Sequence, residues 1–166
     1  MKVIFLDFDG VLNVITQGHD DFGGIFHEHL VDNLRYIIEE TGAKIVISSS
    51  WKSDGLFKLV DMWKSRNYPG EIIGTTPNKV EVINSGMCKL YVLVHRGHEI
   101  KLWLDIYQKN IENYVILDDD NDMLDSQKEH FVLTSGNSDH EDCVDIGYGL
   151  TRKCAEKAIE ILNKNN

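Results

Sequence analysis

Three apolar runs in this chain each end in a cluster of oxygen-bearing side chains. Lys2-Val3-Ile4-Phe5-Leu6 leads into Asp7-Phe8-Asp9-Gly10-Val11. Ala43-Lys44-Ile45-Val46-Ile47 leads into Ser48-Ser49-Ser50-Trp51-Lys52, and Tyr114-Val115-Ile116-Leu117 into Asp118-Asp119-Asp120-Asn121-Asp122. Asp7 and Asp9 are separated by one residue, so at the end of a strand both can face the same way, roughly 6–7 Å apart. Of two such acids, one can attack an electrophile covalently while the other handles the proton, with a hard cation offsetting their repulsion. A serine hydroxyl beyond a second strand can donate to a phosphoryl oxygen, helped by nearby backbone N–H groups. The same serines also suit the start of a helix. Aspartates beyond a further strand are what magnesium needs, because Mg2+ takes an octahedral set of oxygens at ~2.0–2.1 Å with few carboxylates among them.

Each cluster needs a strand to present it. The runs are rich in Val, Ile and Phe, as strands buried on both faces are, and open α/β sheets bind ligands beyond the carboxyl ends of their strands. The succession of strand, loop, helix and strand predicts right-handed parallel crossovers. Residues 13–28 are polar, with Gly18, Gly23 and Gly24, and read as an irregular excursion above the first strand; 14–28 has the length of a short lid loop. His27 and His29 near its end read either as a metal pair lacking an evident third ligand or as residues at a helix entry. A helix starting at His29 or Leu30 and running to 41 puts Leu30, Leu34, Ile37 and Ile38 on one face, with Gly42 as its stop. A second helix is expected over 56–63 and a short extended element over 72–77. Val80, Val82, Leu90, Val92 and Val94 alternate with other residues, which predicts a hairpin-like insertion within 78–95 turning at Asn84-Ser85-Gly86, a flap beside the clusters. The segment 96–104 begins a helix running to about Gln108, with Gly97 loosening the backbone just before it and Ile100, Trp103, Leu104 and Tyr107 as its buried stripe. Phe131 to Thr134 reads as a fifth strand and 135–145 as a polar loop. Thr151 caps a last helix whose stripe is Ala155, Ala158, Ile159 and Leu162.

At 166 residues one domain spanning 1–166 is expected, with a sizeable core. Apolar content of 42% and charged content of 27% match a water-soluble protein rather than a disordered chain, and no stretch approaches the ~20 apolar residues of a membrane span. Met1 leads straight into the first strand, so no signal peptide is expected. The three cysteines, Cys88, Cys143 and Cys154, are too widely spaced for a disulfide framework or a zinc site, so a reducing, cytoplasmic setting is expected. A net charge of −10 argues against an extended nucleic-acid footprint, which needs a basic surface. It leaves room for a phosphorylated small molecule, or a nucleic-acid terminus, held by a few local cations. Nothing marks the oligomeric state.

Asp7-Phe8-Asp9-Gly10-Val11 at the end of an N-terminal strand resembles the DxDG(T/V) signature of the haloacid dehalogenase (HAD) superfamily. The later parts come in that superfamily's order: strand and Ser, a basic residue near a helix start, strand and paired Asp. Ser-Ser-Ser-Trp-Lys, Arg-Gly-His-Glu-Ile followed by Trp103-Leu104, Ile-Leu-Asp-Asp-Asp and the later Gly149-Leu150-Thr151 are similar to the HAD domains of RNA-repair multidomain proteins, although Lys52 stands where Arg is expected. The resemblance implies a Rossmann-like three-layer α/β sandwich with a central parallel sheet and a minimal cap. It implies a magnesium-dependent phosphatase in which Asp7 is the nucleophile and Asp9 the acid and base. Ser49, with Ser48 as alternative, would bind phosphate. Arg96, with Lys101 as alternative, would hold the nucleophile and phosphate charges together. Magnesium would take Asp7, the backbone carbonyl of Asp9, and Asp119 supported by Asp118. Dehalogenases of the superfamily attack carbon without magnesium, and the second acid and the acidic fourth motif suit phosphate better. A phosphotransferase to an alcohol acceptor and a non-catalytic binding module in nucleic-acid repair are the other readings.

Overall fold

The computed structural model describes residues 1–14, 18–78, 80–85, 88–93, 95–134 and 148–164. Its strands, in chain order, are β1 (Lys2–Leu6), β2 (His19–Asp20), β3 (Gly23–Gly24), β4 (Lys44–Ile47), β5 (Ile72–Thr75), β6 (Val80–Ser85), β7 (Cys88–Leu93), β8 (Asn113–Asp118) and β9 (Phe131–Leu133). The helices are α1 (Glu28–Thr41), α2 (Leu56–Ser65), α3 (Arg96–Tyr107) and α4 (Arg152–Asn163).

Five strands form one sheet in the order β5-β4-β1-β8-β9, and every neighbouring pair is parallel. Parallel neighbours must be joined by crossovers, so both faces of the sheet are covered. Val3, Phe5, Val46 and Ile116 face one way and pack against Ile100 and Trp103 of α3. Ile4, Leu6, Ile45, Ile47, Val115 and Leu117 face the other way, against apolar residues of α1, α2 and α4. This is the three-layer Rossmann-like α/β sandwich that the resemblance implies. The continuous apolar runs follow from it: alternate residues of each strand are buried, but against different layers.

Register does the work of assembly. Leu6 pairs with Ile47 on one side and with Leu117 on the other. The next residues along these three strands, Asp7, Ser48 and Asp118, therefore emerge side by side. The first strand pair on each flank of β1 thus brings two of the polar clusters to the third.

Several local expectations hold. Gly42 closes α1, its N–H donating to the Ile38 carbonyl at 2.8 Å, and the Thr151 side chain accepts from the Cys154 N–H at the start of α4. Others need correction. Gly97 lies inside the first turn of α3, not ahead of it. A Cβ there would sit 2.7 Å from the backbone nitrogen of Leu124 and from Gln127 Oε1, so the glycine is required for close approach between α3 and the 3-10 turn Asp125–His130. Tyr107, expected in the buried stripe, is 45% exposed, its ring lying against Trp103 at 4.5 Å between centres. In α4 the buried positions include Ile161, with Ile159 half-buried beside them. The excursion over 13–28 holds a small antiparallel ribbon, β2 paired with β3. The 78–95 insertion contains the expected hairpin, β6 antiparallel to β7. Its strands extend through Ser85 and resume at Cys88, so the turn at Asn84-Ser85-Gly86 is not seen and the connection lies outside the described residues, as does the 135–145 loop. Among the described residues no helix is long and apolar enough to cross a membrane.

Candidate active site

The three strand ends converge on a cluster of acids around one arginine. Asp7, first residue past β1, is 5% exposed, and its N–H donates to the Leu117 carbonyl at 3.0 Å, continuing the ladder with β8. Asp118 ends β8 and is fully buried. Asp119 follows it on the turn. One carboxylate oxygen from each of Asp7, Asp118 and Asp119 lies within 4.8 Å of the others.

Gly10 makes room for the third of these acids. Its φ is +70°, and a Cβ there would fall 2.1 Å from the Asp119 carboxyl carbon, so both conformation and space demand glycine. Thr134, just past β9, closes the floor: its hydroxyl donates to the Gly10 carbonyl at 2.9 Å and its N–H to the Asp118 carbonyl at 2.9 Å.

Arg96 opens α3 and links the strand ends. Its Nη1 donates to Asp7 Oδ1 at 2.7 Å and to the Ser48 carbonyl at 2.8 Å, while Nε lies 3.3 Å from Asp118 Oδ2. Its backbone N–H donates to Asp122 Oδ2 at 3.0 Å, so Asp122 fixes the start of the helix that carries the guanidinium. Burial by itself would lower the Arg96 pKa, but the charges of Asp7 and Asp118 outweigh it and hold the group above its ordinary value. Asp118 is pushed up to about 7, first by burial and then by repulsion from Asp7. Asp119 is raised for the same two reasons, with Asp120 adding to them.

The cluster fits a hard divalent cation. It offers three carboxylate oxygens converging on one point, and the buried Asp118 Oδ2, at an ion-pair distance from Arg96, has no hydrogen-bond partner. Raised acids and an unpartnered buried oxygen are both relieved by a bound cation.

Asp9 stands apart from this cluster. It is exposed, and both of its oxygens are engaged: Oδ1 accepts from Asn13 Nδ2 at 2.9 Å and Oδ2 from Trp51 Nε1 at 2.9 Å. The two acids expected to share one face sit in different surroundings, because β1 ends at Leu6 and Asp9 lies beyond it on the turn bridged to Asn13.

The serine alternatives differ in the same way. Ser49 caps the 3-10 turn Ser50–Asp54, its hydroxyl accepting from the Trp51 N–H at 3.4 Å. The hydroxyl of Ser48 is buried without a hydrogen-bond partner. Of the basic alternatives, Arg96 is brought to the cluster and Lys101 is not. Lys101 pairs with Asp105 one turn along the outer face of α3, at 2.7 Å. Lys52, which stands where Arg is expected, does not reach the acid cluster as a free charge. It is buried, ion-paired with Glu99, and donates to Thr76 Oγ1 at 2.9 Å. His27 and His29 stack edge-on with ring centres 5.5 Å apart and are not part of any metal-competent group found among the described residues. Asn13, Trp51, Glu99 and Thr134 had no signal of their own in the sequence, although Trp51 and Glu99 fall within the motif runs that carried the resemblance.

A family model described as the HAD domain in Swiss Army Knife RNA repair proteins matches residues 3–139. No curated protein and no solved structure matches the chain. The match covers well over half of the sequence, and the chain belongs to that family of HAD domains.

Proposed function

From that membership we propose that the chain is a magnesium-dependent phosphomonoesterase working through an aspartyl-phosphate. The observation that carries the reading is the meeting of Asp7, Asp118 and Asp119 within 4.8 Å under one arginine, with a second acid, Asp9, held separately beside them.

The roles follow from the surroundings of each group. Arg96 holds Oδ1 of Asp7 and so presents the carboxylate for in-line attack on phosphorus, forming the Asp7–phosphorus bond as the bond to the leaving oxygen breaks. Asp9 gives its proton to that oxygen. In the second step Asp9 takes a proton from water as the water oxygen bonds to phosphorus and the Asp7–phosphorus bond breaks, releasing inorganic phosphate. The transition state spreads charge over the phosphoryl oxygens, and Arg96 with the Ser48 or Ser49 hydroxyl offers donors to it. A magnesium ion held by Asp7, Asp118 and Asp119, with the Asp9 carbonyl as further ligand, would supply charge neutralisation for attacking and transferring oxygens. Its substrate is a small phosphoester, a nucleotide or a nucleic-acid terminus; the acidic surface suits compact substrates better than long polyanions.

The test is release of inorganic phosphate from a panel of phosphomonoesters that includes oligonucleotide 3′ and 5′ phosphates, with and without magnesium. Asp7→Asn is expected to lower turnover by about 10³-fold or more while leaving the fold intact. Near-native turnover in Asp7→Asn would overturn the assignment. An added alcohol that captures the phosphoryl group in place of water would shift the reading to a phosphotransferase.

A further inference from the structure

The least expected feature of the site is the pair of neutral donors on Asp9. Asn13 Nδ2 holds one oxygen and the Trp51 indole N–H holds the other. The two donors come from different elements: Asn13 ends the turn after β1, Trp51 lies in the 3-10 turn after β4. Each is fixed in turn. The Trp51 ring meets Phe8 edge-on at 5.6 Å and Phe26 at 5.7 Å. The ribbon of β2 and β3 lies over both donors: a Cβ on Gly23 would be 3.4 Å from the outer edge of the Trp51 ring, and one on Gly24 would be 3.5 Å from Asn13 Nδ2. Arg66 pins that ribbon, donating to the Gly24 carbonyl at 2.9 Å, the Gly23 carbonyl at 3.2 Å and Asp20 at 2.6 Å.

We propose that Trp51 and Asn13 are positioning residues that aim the Asp9 carboxyl at the leaving oxygen. The proposal rests on the phosphatase reading above. An exposed aspartate is free to turn about two side-chain bonds, and proton transfer needs the acid within hydrogen-bond reach of the oxygen it serves. Tethering both carboxyl oxygens removes that freedom before substrate arrives. The donors are uncharged, so they orient Asp9 without competing for the phosphate as a second arginine would.

Leaving-group dependence separates aiming from mere structural support. A poor leaving group, such as the alkoxide of an alkyl phosphate, needs its proton as the bond breaks; p-nitrophenolate departs without it. Trp51→Phe keeps an aromatic ring against Phe8 and Phe26 and removes only the N–H. It should lose roughly 10–100-fold in kcat/KM on alkyl phosphates and far less on p-nitrophenyl phosphate. Asn13→Ala should show the same tilt and Asp9→Ala a steeper one. An equal loss across the series, or none, overturns the proposal. A second readout needs no turnover: in Asp9→Ala the Trp51 indole proton, followed by 15N–1H NMR, should shift upfield and exchange faster with solvent. An unmoved resonance shows that no such tether exists. If the wild-type protein hydrolyses no phosphomonoester while the indole proton still responds to Asp9, the phosphatase reading fails and the tether stands.

Discussion

Asp118 concentrates the electrostatic conflict of the site. Burial and the neighbouring Asp7 raise it from an ordinary 3.8 to about 7. In the metal-free protein the folded state therefore binds a proton that the unfolded chain has released between roughly pH 4 and 7. The sign follows directly: where the native state holds more protons, stability falls as pH rises. The contribution is complete below the unfolded value and is lost progressively as pH climbs through about 7. At about 1.4 kcal/mol per pH unit, the loss is on the order of 4 kcal/mol. Denaturant titrations of the metal-free protein should show this decline across the window, and Asp118→Asn should flatten it while raising stability at pH 8. An unchanged slope in Asp118→Asn would place the conflict elsewhere.

At the level of elements, the site depends on how α3 is held. Arg96 begins that helix, and Glu99 one turn later is ion-paired with the buried Lys52, which also donates to the Ser48 carbonyl at 3.4 Å. Lys52 thus ties the segment after β4 to the helix that delivers the guanidinium. Removing one member of such a pair strands the other charge in a poorly solvated place. Lys52→Met is expected to cost about 3 kcal/mol, read as a lowered denaturation midpoint. The double variant Lys52→Met with Glu99→Leu should recover much of that loss in stability. Its kcat should remain depressed, because Arg96 is then less firmly placed; full recovery of both would show that the pair serves stability alone.

Across the whole molecule, three carboxylates from two strand ends are forced together by the sheet's register, and folding must pay for their proximity. A divalent cation that binds only the folded chain offsets that cost by mass action. At ten times its dissociation constant, magnesium should add about 1.4 kcal/mol, a rise in Tm of roughly 3–6 °C for a chain of this size. Asp119→Asn should abolish most of the rise, and monovalent salt at equal ionic strength should not reproduce it.

Much of this was legible in the sequence because period, order and turn chemistry are local. The apolar runs before Asp7, Ser48 and Asp118, the stop at Gly42, the Thr151 cap and the order of the motifs each rest on a few neighbouring residues. The α/β sandwich follows from them together with the handedness of crossovers. Only the tertiary structure brought Arg96 rather than Lys101 to the carboxylates, gave the Ser48 and Ser49 hydroxyls different surroundings, buried Lys52 against Glu99 and put Trp51 on Asp9. Each of those outcomes depends on which residues of distant strands stand level and on how a helix rotates onto the sheet. A short stretch of sequence does not encode these relations, because they are fixed by the packing of all the layers at once.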